Sequence, residues 1–159
     1  MMRILDKIKQ SRAVVLLRKL LRQGMSAQKL ALTISLGVVL GIIPVFGFIT
    51  AVCAAIAAWW RLNIPLAIAV LYAAMPLQII LFVPFIRLGE WLFSIGKLEI
   101  APEKIVENIQ LAPLSYMNQI WYSIIGALGA WAIVSVLLGV LLYLLFFMII
   151  VRFKKKKPL

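Results

Sequence analysis

The stretch from Leu30 to Trp60 contains no charged side chain, and a segment rich in glycine and proline, Gly41 to Gly47, lies at its middle. As one straight helix the stretch would be about 46 Å long at 1.5 Å per residue, whereas the core of a bilayer is about 30 Å thick. Two full membrane spans would need about 20 residues each, which is more than the stretch holds. Neither one straight span nor two separate spans therefore fits this length.

Pro44 lies within the middle segment and predicts where the helix breaks. Proline has no backbone N–H and its ring clashes with the preceding turn, whereas Gly41 and Gly47 tolerate conformations that other residues avoid. We therefore expect two half-helices that meet at a turn inside the membrane, which makes a re-entrant hairpin. Irregular backbone at that depth requires cover by protein or access to water, so the turn is a candidate for function. The alternative is a single kinked and tilted span.

The composition is that of a polytopic membrane protein, because 65% of the 159 residues are hydrophobic. The formal net charge is +12, and the basic residues cluster at the two ends of the chain, where they can meet anionic lipid headgroups. No base-stacking or groove-reading motif accompanies them, so we expect membrane lipids, and not nucleic acid, as partners. The absence of histidine excludes imidazole metal sites and histidine-based catalytic dyads and triads. We expect no enzyme activity, no metal site and no cofactor.

Residues 1–29 form a basic amphipathic arm. Its two apolar faces do not align on one ideal helix, which predicts a bend near Gln10 and Ser11, and Gly24 is a typical helix end. We expect this arm to lie as a helix on the cytoplasmic surface of the membrane. The alternative is that it packs against a partner or against the core of the protein itself.

The segment from Leu66 to Ile86 is the second apolar stretch and is long enough for one membrane crossing. Arg61 precedes this segment, and its charge predicts that the chain returns to water there. Asn63 can cap the helix, and Pro65 suits its first turn. Together with the hairpin, this segment makes residues 30–93 the membrane core.

Two prolines, Pro76 and Pro84, interrupt the second apolar stretch, which predicts a broken or strongly kinked helix. Arg87 and Glu90 follow it three residues apart, so they can pair on one helical face. At the edge of a membrane such a pair is either a structural clasp or part of a polar pathway.

Residues 94–118 read as a water-exposed loop with a short helix that starts at Pro102 and ends at Pro113. Residues 119–151 form the last span, and residues 152–159 form a basic tail. The last span carries three pairs of small residues four positions apart: Ser123/Ala127, Gly126/Ala130 and Ser135/Gly139. Such pairs allow close helix packing, either against the hairpin or against a second copy in a homo-oligomer.

The charges predict the topology. Residues 1–30 hold eight basic and one acidic side chain, and the tail from Arg152 holds five basic and no acidic ones, whereas residues 87–117 hold three basic and four acidic ones. The positive-inside rule therefore places both termini in the cytoplasm and residues 87–117 outside. This arrangement requires an even number of crossings. A re-entrant hairpin, one crossing by the proline-containing helix and one crossing by the long C-terminal helix satisfy it.

The glycine and proline residues resemble the pattern of a bacterial membrane family, the domain-of-unknown-function family 2062. The resemblance covers about residues 29–93 and rests on Gly37, Gly41, Pro44, Gly47, Arg61, Asn63, Pro65, Pro76 and Gly89. The chain departs from the family where it has Phe48-Ile49 after the turn, in place of a frequent glutamine, and Met75 before the helix proline, in place of a frequent asparagine. The resemblance implies a multi-pass protein of the bacterial inner membrane and implies no settled activity. Some relatives join this domain to glycosyltransferase-like domains, which implies work on envelope lipids or glycans.

Two functions follow from this sequence as hypotheses. The first is a small transporter or flippase of an anionic envelope lipid, such as a polyprenyl phosphate, because broken helices direct backbone dipoles at a site near the midplane. Its candidate ligand-binding residues are Arg61, Asn63, Arg87 and Glu90. The alternative is a non-catalytic scaffold or anchor for envelope glycan or lipid assembly, since no charged side chain lies deep in a span.

Overall fold

The structure is a computed structural model that describes residues 25–45 and 47–156, and within them it is all-helical. The predicted arm up to residue 24, Phe46 of the turn and the last three residues of the tail lie outside the described residues. The five described helices are α1 (Ala27–Gly41), α2 (Ile49–Trp59), α3 (Ile64–Leu92), α4 (Pro102–Leu111) and α5 (Pro113–Lys156). The predicted all-α fold class is thereby confirmed.

Helices α1 and α2 form a helical hairpin. Ser26 caps α1 by accepting the Lys29 N–H at 3.2 Å, and α1 ends at the predicted break. Gly47 in the following turn has φ +114°, a conformation that side chains with a Cβ rarely adopt. Trp60, which follows α2, lies across a groove from Leu32 near the start of α1, so α2 runs back along α1. The placement of this hairpin in a membrane stays a prediction.

Helix α3 is one continuous helix of 29 residues, although Pro76 and Pro84 lie inside it. The sequence predicted either a broken or a strongly kinked helix; the break is therefore wrong, and the kink stays a prediction. A proline within a helix costs about 3 kcal/mol, and α3 is held along its length because α1, α2 and α5 all pack against it. The start of α3 is as predicted: Asn63 caps it by accepting the Leu66 N–H at 2.9 Å, and Pro65 lies in its first turn.

Helix α4 begins at Pro102, as predicted, and is a surface helix. An ion pair of 2.8 Å joins Lys104 to Glu107 one turn later. The hydrogen bond and the negative charge from Glu107 raise the pKa of the Lys104 ammonium group.

Helix α5 begins at Pro113, six residues earlier than the sequence predicted. Its first turns are tied to the preceding loop: the Tyr116 hydroxyl donates to the carbonyl of Glu99 at 2.9 Å, and the Gln119 amide donates to the carbonyl of Lys97 at 2.8 Å. These bonds fix residues 113–119 against the loop. The sequence predicted this segment as part of the loop, but the tertiary contacts stabilise it as helix.

Small residues bring the helix backbones close together. A Cβ on Gly41 would lie 2.8 Å from the carbonyl oxygen of Leu71 in α3, and a Cβ on Gly89 would fall on the backbone of Gly126 in α5. Ala127 beside it is buried as well. The small residues at the start of α5 therefore pack within this chain, and packing against a second copy stays a prediction.

Two helices, Ile64–Leu92 and Pro113–Arg152, are long and apolar enough to cross a membrane. Only 17% and 6% of their most apolar windows are buried, so these helices are not the covered core of a soluble domain. Trp59 and Trp60 are exposed near one end of α3 and Trp91 near the other. Trp91 lies 27 residues after Ile64, where α3 begins, which is about 40 Å along the axis and near the full thickness of a bilayer with its interfaces. This pattern indicates a membrane protein.

Candidate functional site

The turn between α1 and α2 contacts α3 at its midpoint. Gln78 lies 14 residues from each end of α3, which is about 21 Å along the helix axis. Its side chain is 3% exposed and donates to the carbonyl oxygens of Ile43 at 2.7 Å and Val45 at 3.1 Å. The one Gln78 amide group thereby uses both of its N–H bonds on the turn.

A second helix also donates to this broken backbone. The indole N–H of Trp131 in α5 donates to the carbonyl of Val39 at 3.1 Å, which is one of the last carbonyls of α1. Within the turn the Val45 N–H donates to the carbonyl of Ile43 at 2.8 Å, across Pro44. Backbone carbonyls in an apolar environment need such partners, because each unsatisfied group costs several kcal/mol in lipid. Side chains from α3 and α5 thus stabilise the interruption in the hairpin.

A pocket of about 110 Å³ lies beside the turn, between α1, α2 and α3. Its lining includes Gly47, Thr50, Tyr72 and Gln78. The hydroxyl groups of Thr50 and Tyr72 lie 3.3 Å apart and share a hydrogen bond, in which either can donate. The volume suits a few water molecules or a small polar group. The pocket therefore gathers two hydroxyls and an amide halfway along a helix that is otherwise almost entirely apolar.

The electrostatics of the pocket favour an anion. The N-terminus of α2, which begins at Ile49, lines it, and the N-terminal end of a helix carries a partial positive charge. All acidic side chains of the described residues belong to residues 90–107, so the nearest one along α3 is Glu90, 12 residues beyond Gln78. That distance is about 18 Å along the axis. No carboxylate of the described chain therefore opposes an anion at this point.

Two of the predicted ligand-binding residues, Arg61 and Asn63, lie in the link between α2 and α3. The side chain of Asn63 is engaged: besides its cap, its amide donates to the Met25 sulfur at 3.8 Å. Arg61 is exposed and has φ +52°. The Leu62 N–H donates to the carbonyl of Ala57 at 2.7 Å, which completes a Schellman motif. Arginine takes the position that glycine usually fills, at a cost of about 1 kcal/mol.

The other two, Arg87 and Glu90, lie near the opposite end of α3 and form the predicted ion pair at 2.8 Å. The Arg87 side chain is 45% exposed, whereas that of Glu90 is 4% exposed. The second carboxylate oxygen of Glu90 accepts the Leu98 N–H at 2.7 Å. Of the two predicted roles, this geometry fits the structural clasp, because the carboxylate holds the loop after α3 to the helix.

The four predicted ligand-binding residues do not converge on one site. Arg61 and Arg87 flank most of α3, with the 23 residues from Ile64 to Arg87 spanning about 35 Å along its axis. A single headgroup cannot contact both arginines. Their roles toward a ligand stay predictions, and any such roles belong to opposite ends of the helices.

The structural turn residues occupy distinct places. Gly41 packs against α3, Gly47 supplies the positive φ, and Pro44 is buried in the turn itself. Pro65 lies in the first turn of α3, and Pro76 lies inside that helix. At Pro76 the sequence predicted a break or a strong kink: the helix is not broken there, and the kink stays a prediction.

Gln78 and Trp131 were not predicted from the sequence. Gln78 carried a signal, because it is the one amide side chain within an apolar segment of more than 20 residues. Trp131 carried a weaker signal: it lies 12 residues after the predicted start of the last span, away from the interface where tryptophan is usual. Both side chains are hydrogen-bond donors, and donors are what a broken helix requires at depth.

Comparison with known proteins agrees with the resemblance seen in the sequence. The chain matches no curated protein and no solved structure. A family model described as "Uncharacterized protein conserved in bacteria (DUF2062)" matches residues 12–158, which is nearly the whole chain. The match covers the hairpin, α3, α4 and all of α5. The chain therefore belongs to the bacterial family DUF2062.

Proposed function

We propose that this protein is a small transporter or flippase of an anionic envelope lipid, such as a polyprenyl phosphate, in the bacterial inner membrane. The observation that supports the proposal is the polar pocket beside the turn, formed by Thr50, Tyr72 and Gln78 at the midpoint of α3. Polar groups at the middle of a bilayer are costly and are by default associated with a pathway. The proposal includes no covalent step and no cofactor.

The chemistry of the pocket suits the phosphate headgroup of a lipid that crosses the membrane. The hydroxyls of Thr50 and Tyr72 are its neutral hydrogen-bond donors, since both N–H bonds of Gln78 are used on the turn, and the N-terminus of α2 adds a partial positive charge. A phosphate can therefore gain hydrogen bonds at mid-depth without meeting a full countercharge that would trap it. Binding strong enough to enter and weak enough to leave is the requirement for passage through a membrane.

The test is a lipid-translocation assay with the full chain in liposomes and a fluorescent polyprenyl phosphate. Accessibility of the label to a membrane-impermeant quencher measures flux. We expect Thr50→Val and Tyr72→Phe to lower the flux, because each removes a hydroxyl from the pocket while it keeps the shape of the side chain. Tyr122→Phe is the matched control, since Tyr122 is exposed near the far end of the bundle. Wild-type flux equal to that of empty liposomes would refute the transporter.

A second function, a scaffold or anchor for envelope assembly, is favoured by one specific observation. The turn is held by donors from two helices, Gln78 and Trp131, which is the arrangement of a fixed element rather than a moving one. A scaffold predicts no flux from folded protein, together with a stable oligomer or complex. Mass measurement of the chain in lipid nanodiscs distinguishes the two functions, because transport through this pocket requires only one copy.

The proposed topology places both termini in the cytoplasm and the hairpin in the membrane as a re-entrant element. Three exposed positions test it in a Cys53→Ala background: Gln28→Cys, Ala58→Cys and Lys97→Cys. We expect a membrane-impermeant thiol reagent to label positions 28 and 58 from the same face and position 97 from the other. Labelling of 28 and 58 from opposite faces would show that the segment crosses the membrane.

A further inference from the structure

A second cavity, an apolar groove of about 330 Å³, lies between α1, α5 and the end of α2. Its volume is at the lower end of the range for small-molecule sites. Its lining includes Leu32, Ser35, Val39, Trp60, Val140 and Tyr143. Apart from the hydroxyls of the serine and the tyrosine, these side chains offer only hydrocarbon and an aromatic ring.

The groove has a defined length and direction. It extends from Leu32 to Val39 on α1 and from Val136 to Tyr143 on α5, seven residues on each helix. Seven residues span about 10 Å of helix axis. The first of these positions lies three residues after Lys29, so one end of the groove lies close to the start of α1. This is also the end of the bundle where α2 ends, next to Trp60.

The charges at that end are all positive within the described residues. Lys29, Arg61 and Arg152 are exposed there, and every described acidic residue belongs to residues 90–107 near the other end. An apolar groove with a cationic mouth is complementary to a molecule that has a hydrocarbon chain and an anionic head. A helix from a second copy would bring the same cations together, which opposes its docking in this groove.

The backbone of Arg61 adds an independent observation. This residue takes the left-handed conformation, φ +52°, at the end of α2, directly after the groove-lining Trp60. Glycine would adopt that conformation without strain, so the fold alone does not call for arginine. Strain at an exposed cationic residue beside a groove points to a role of its side chain. Ser94, at the end of α3, has the same φ of +52° and serves as an internal comparison.

We propose that the apolar groove holds the hydrocarbon chain of a single anionic lipid and that Arg61 pairs with its phosphate. The class of substrate in this proposal rests on the proposed function. The groove is the loading site, at the end of the bundle that carries Lys29 and Arg152, and it is distinct from the polar pocket at the turn. The guanidinium group suits a phosphate because it presents several N–H donors in one plane.

The experiment measures lipid binding by native mass spectrometry of the full chain in detergent, with a polyprenyl phosphate and the matching polyprenol. We expect the wild type to bind the polyprenyl phosphate more tightly than the polyprenol. Arg61→Gly should lower the affinity for the phosphate about tenfold and leave the affinity for the polyprenol unchanged. The thermal midpoint of Arg61→Gly should equal or exceed that of the wild type, because glycine relieves the left-handed strain. Ser94→Gly should have the same effect on stability and none on binding.

A groove variant completes the design. Val140→Trp places a large ring in the groove and should lower the affinity for both the polyprenyl phosphate and the polyprenol. Wild-type affinity in Arg61→Gly, or a fall in its stability in step with the fall in affinity, overturns the proposal. A change of oligomeric state in Val140→Trp with unchanged lipid binding also overturns it, because the groove then belongs to a second copy.

The binding result and the flux result are separable. If lipid binding depends on Arg61 but the wild-type protein shows no flux, the lipid-binding site stands and the transporter function is refuted. If Arg61→Gly leaves the flux unchanged, the transporter function stands and the role of the groove as a loading site is refuted.

Discussion

The substitution Gln78→Leu tests whether the broken hairpin depends on its partner helix. Leucine has nearly the volume of glutamine, so the change removes the two N–H donors with little change in packing. The carbonyl of Ile43 keeps the N–H of Val45 as a partner at 2.8 Å, whereas the carbonyl of Val45 loses the only donor that the described residues give it. The loss therefore acts on the turn and not on α3.

The expected loss in the free energy of unfolding follows from the number of hydrogen bonds that Gln78→Leu removes. Side-chain hydrogen bonds between membrane helices average about 0.6 kcal/mol and reach about 1.7 kcal/mol, so two bonds give about 1 to 3.5 kcal/mol. The short bond of 2.7 Å and the 3% exposure of Gln78 favour the upper half of that range. Trp131→Phe removes one donor from the neighbouring carbonyl of Val39 and should cost about half as much. The two changes act on one turn, so their combination should depart from additivity.

The assay is reversible unfolding of the purified chain in mixed micelles, followed by far-ultraviolet circular dichroism. Ile79→Leu is the matched control, because Ile79 is adjacent to Gln78 but exposed on the outer face of α3. We expect the control to unfold like the wild type. A Gln78→Leu protein within about 0.3 kcal/mol of the control would refute the reasoning, since the turn would then not need the amide.

Three further predictions concern other contacts. Gly89→Ala should lower stability by about 1 to 3 kcal/mol, because the new methyl group falls on the backbone of Gly126 and separates α3 from α5; an unchanged thermal midpoint in detergent would contradict this contact. Glu90→Ala should speed hydrogen exchange at the Leu98 amide, which loses its acceptor, and exchange at the wild-type rate would show that the clasp is dispensable. Asn63→Ala should cost about 1 kcal/mol through the lost cap of α3, whereas Asn63→Asp should retain it; equal losses in the two variants would argue against capping.

The sequence predicted the elements whose causes are local. Charge-free length and Pro44 located the hairpin turn, and Asn63 located the start of α3, because backbone chemistry at one residue decides each of them. It failed where tertiary contacts outweigh local preference. Of the break and the kink predicted at Pro76, the break is absent, since three helices pack against α3, and α5 starts early because hydrogen bonds to the loop fix its first turns.

The candidate site was harder to predict than the fold. The sequence pointed to charged residues as ligands, yet Arg61 and Arg87 lie toward opposite ends of α3, and the buried polar group at the middle of α3 is an uncharged amide. The pairing of Gln78 with residues 35 and 33 positions earlier cannot be read from spacing. It depends on how far α1 reaches along α3, which is set by the close packing of glycine residues such as Gly41.

The same contacts constrain the order in which the membrane core can assemble. Helices α1 and α2 have 15 and 11 residues, about 22 Å and 16 Å, so neither can cross a bilayer core of about 30 Å alone. A hairpin of this length that dips into the bilayer carries unpaired carbonyls at its tip until Gln78 and Trp131 donate to them. In the proposed topology, the hairpin can reach its final depth only after α3 and α5 have inserted, because both follow it in the chain. The proposed re-entrant placement therefore predicts that the hairpin completes the membrane core, although it is synthesised before the helices that hold it.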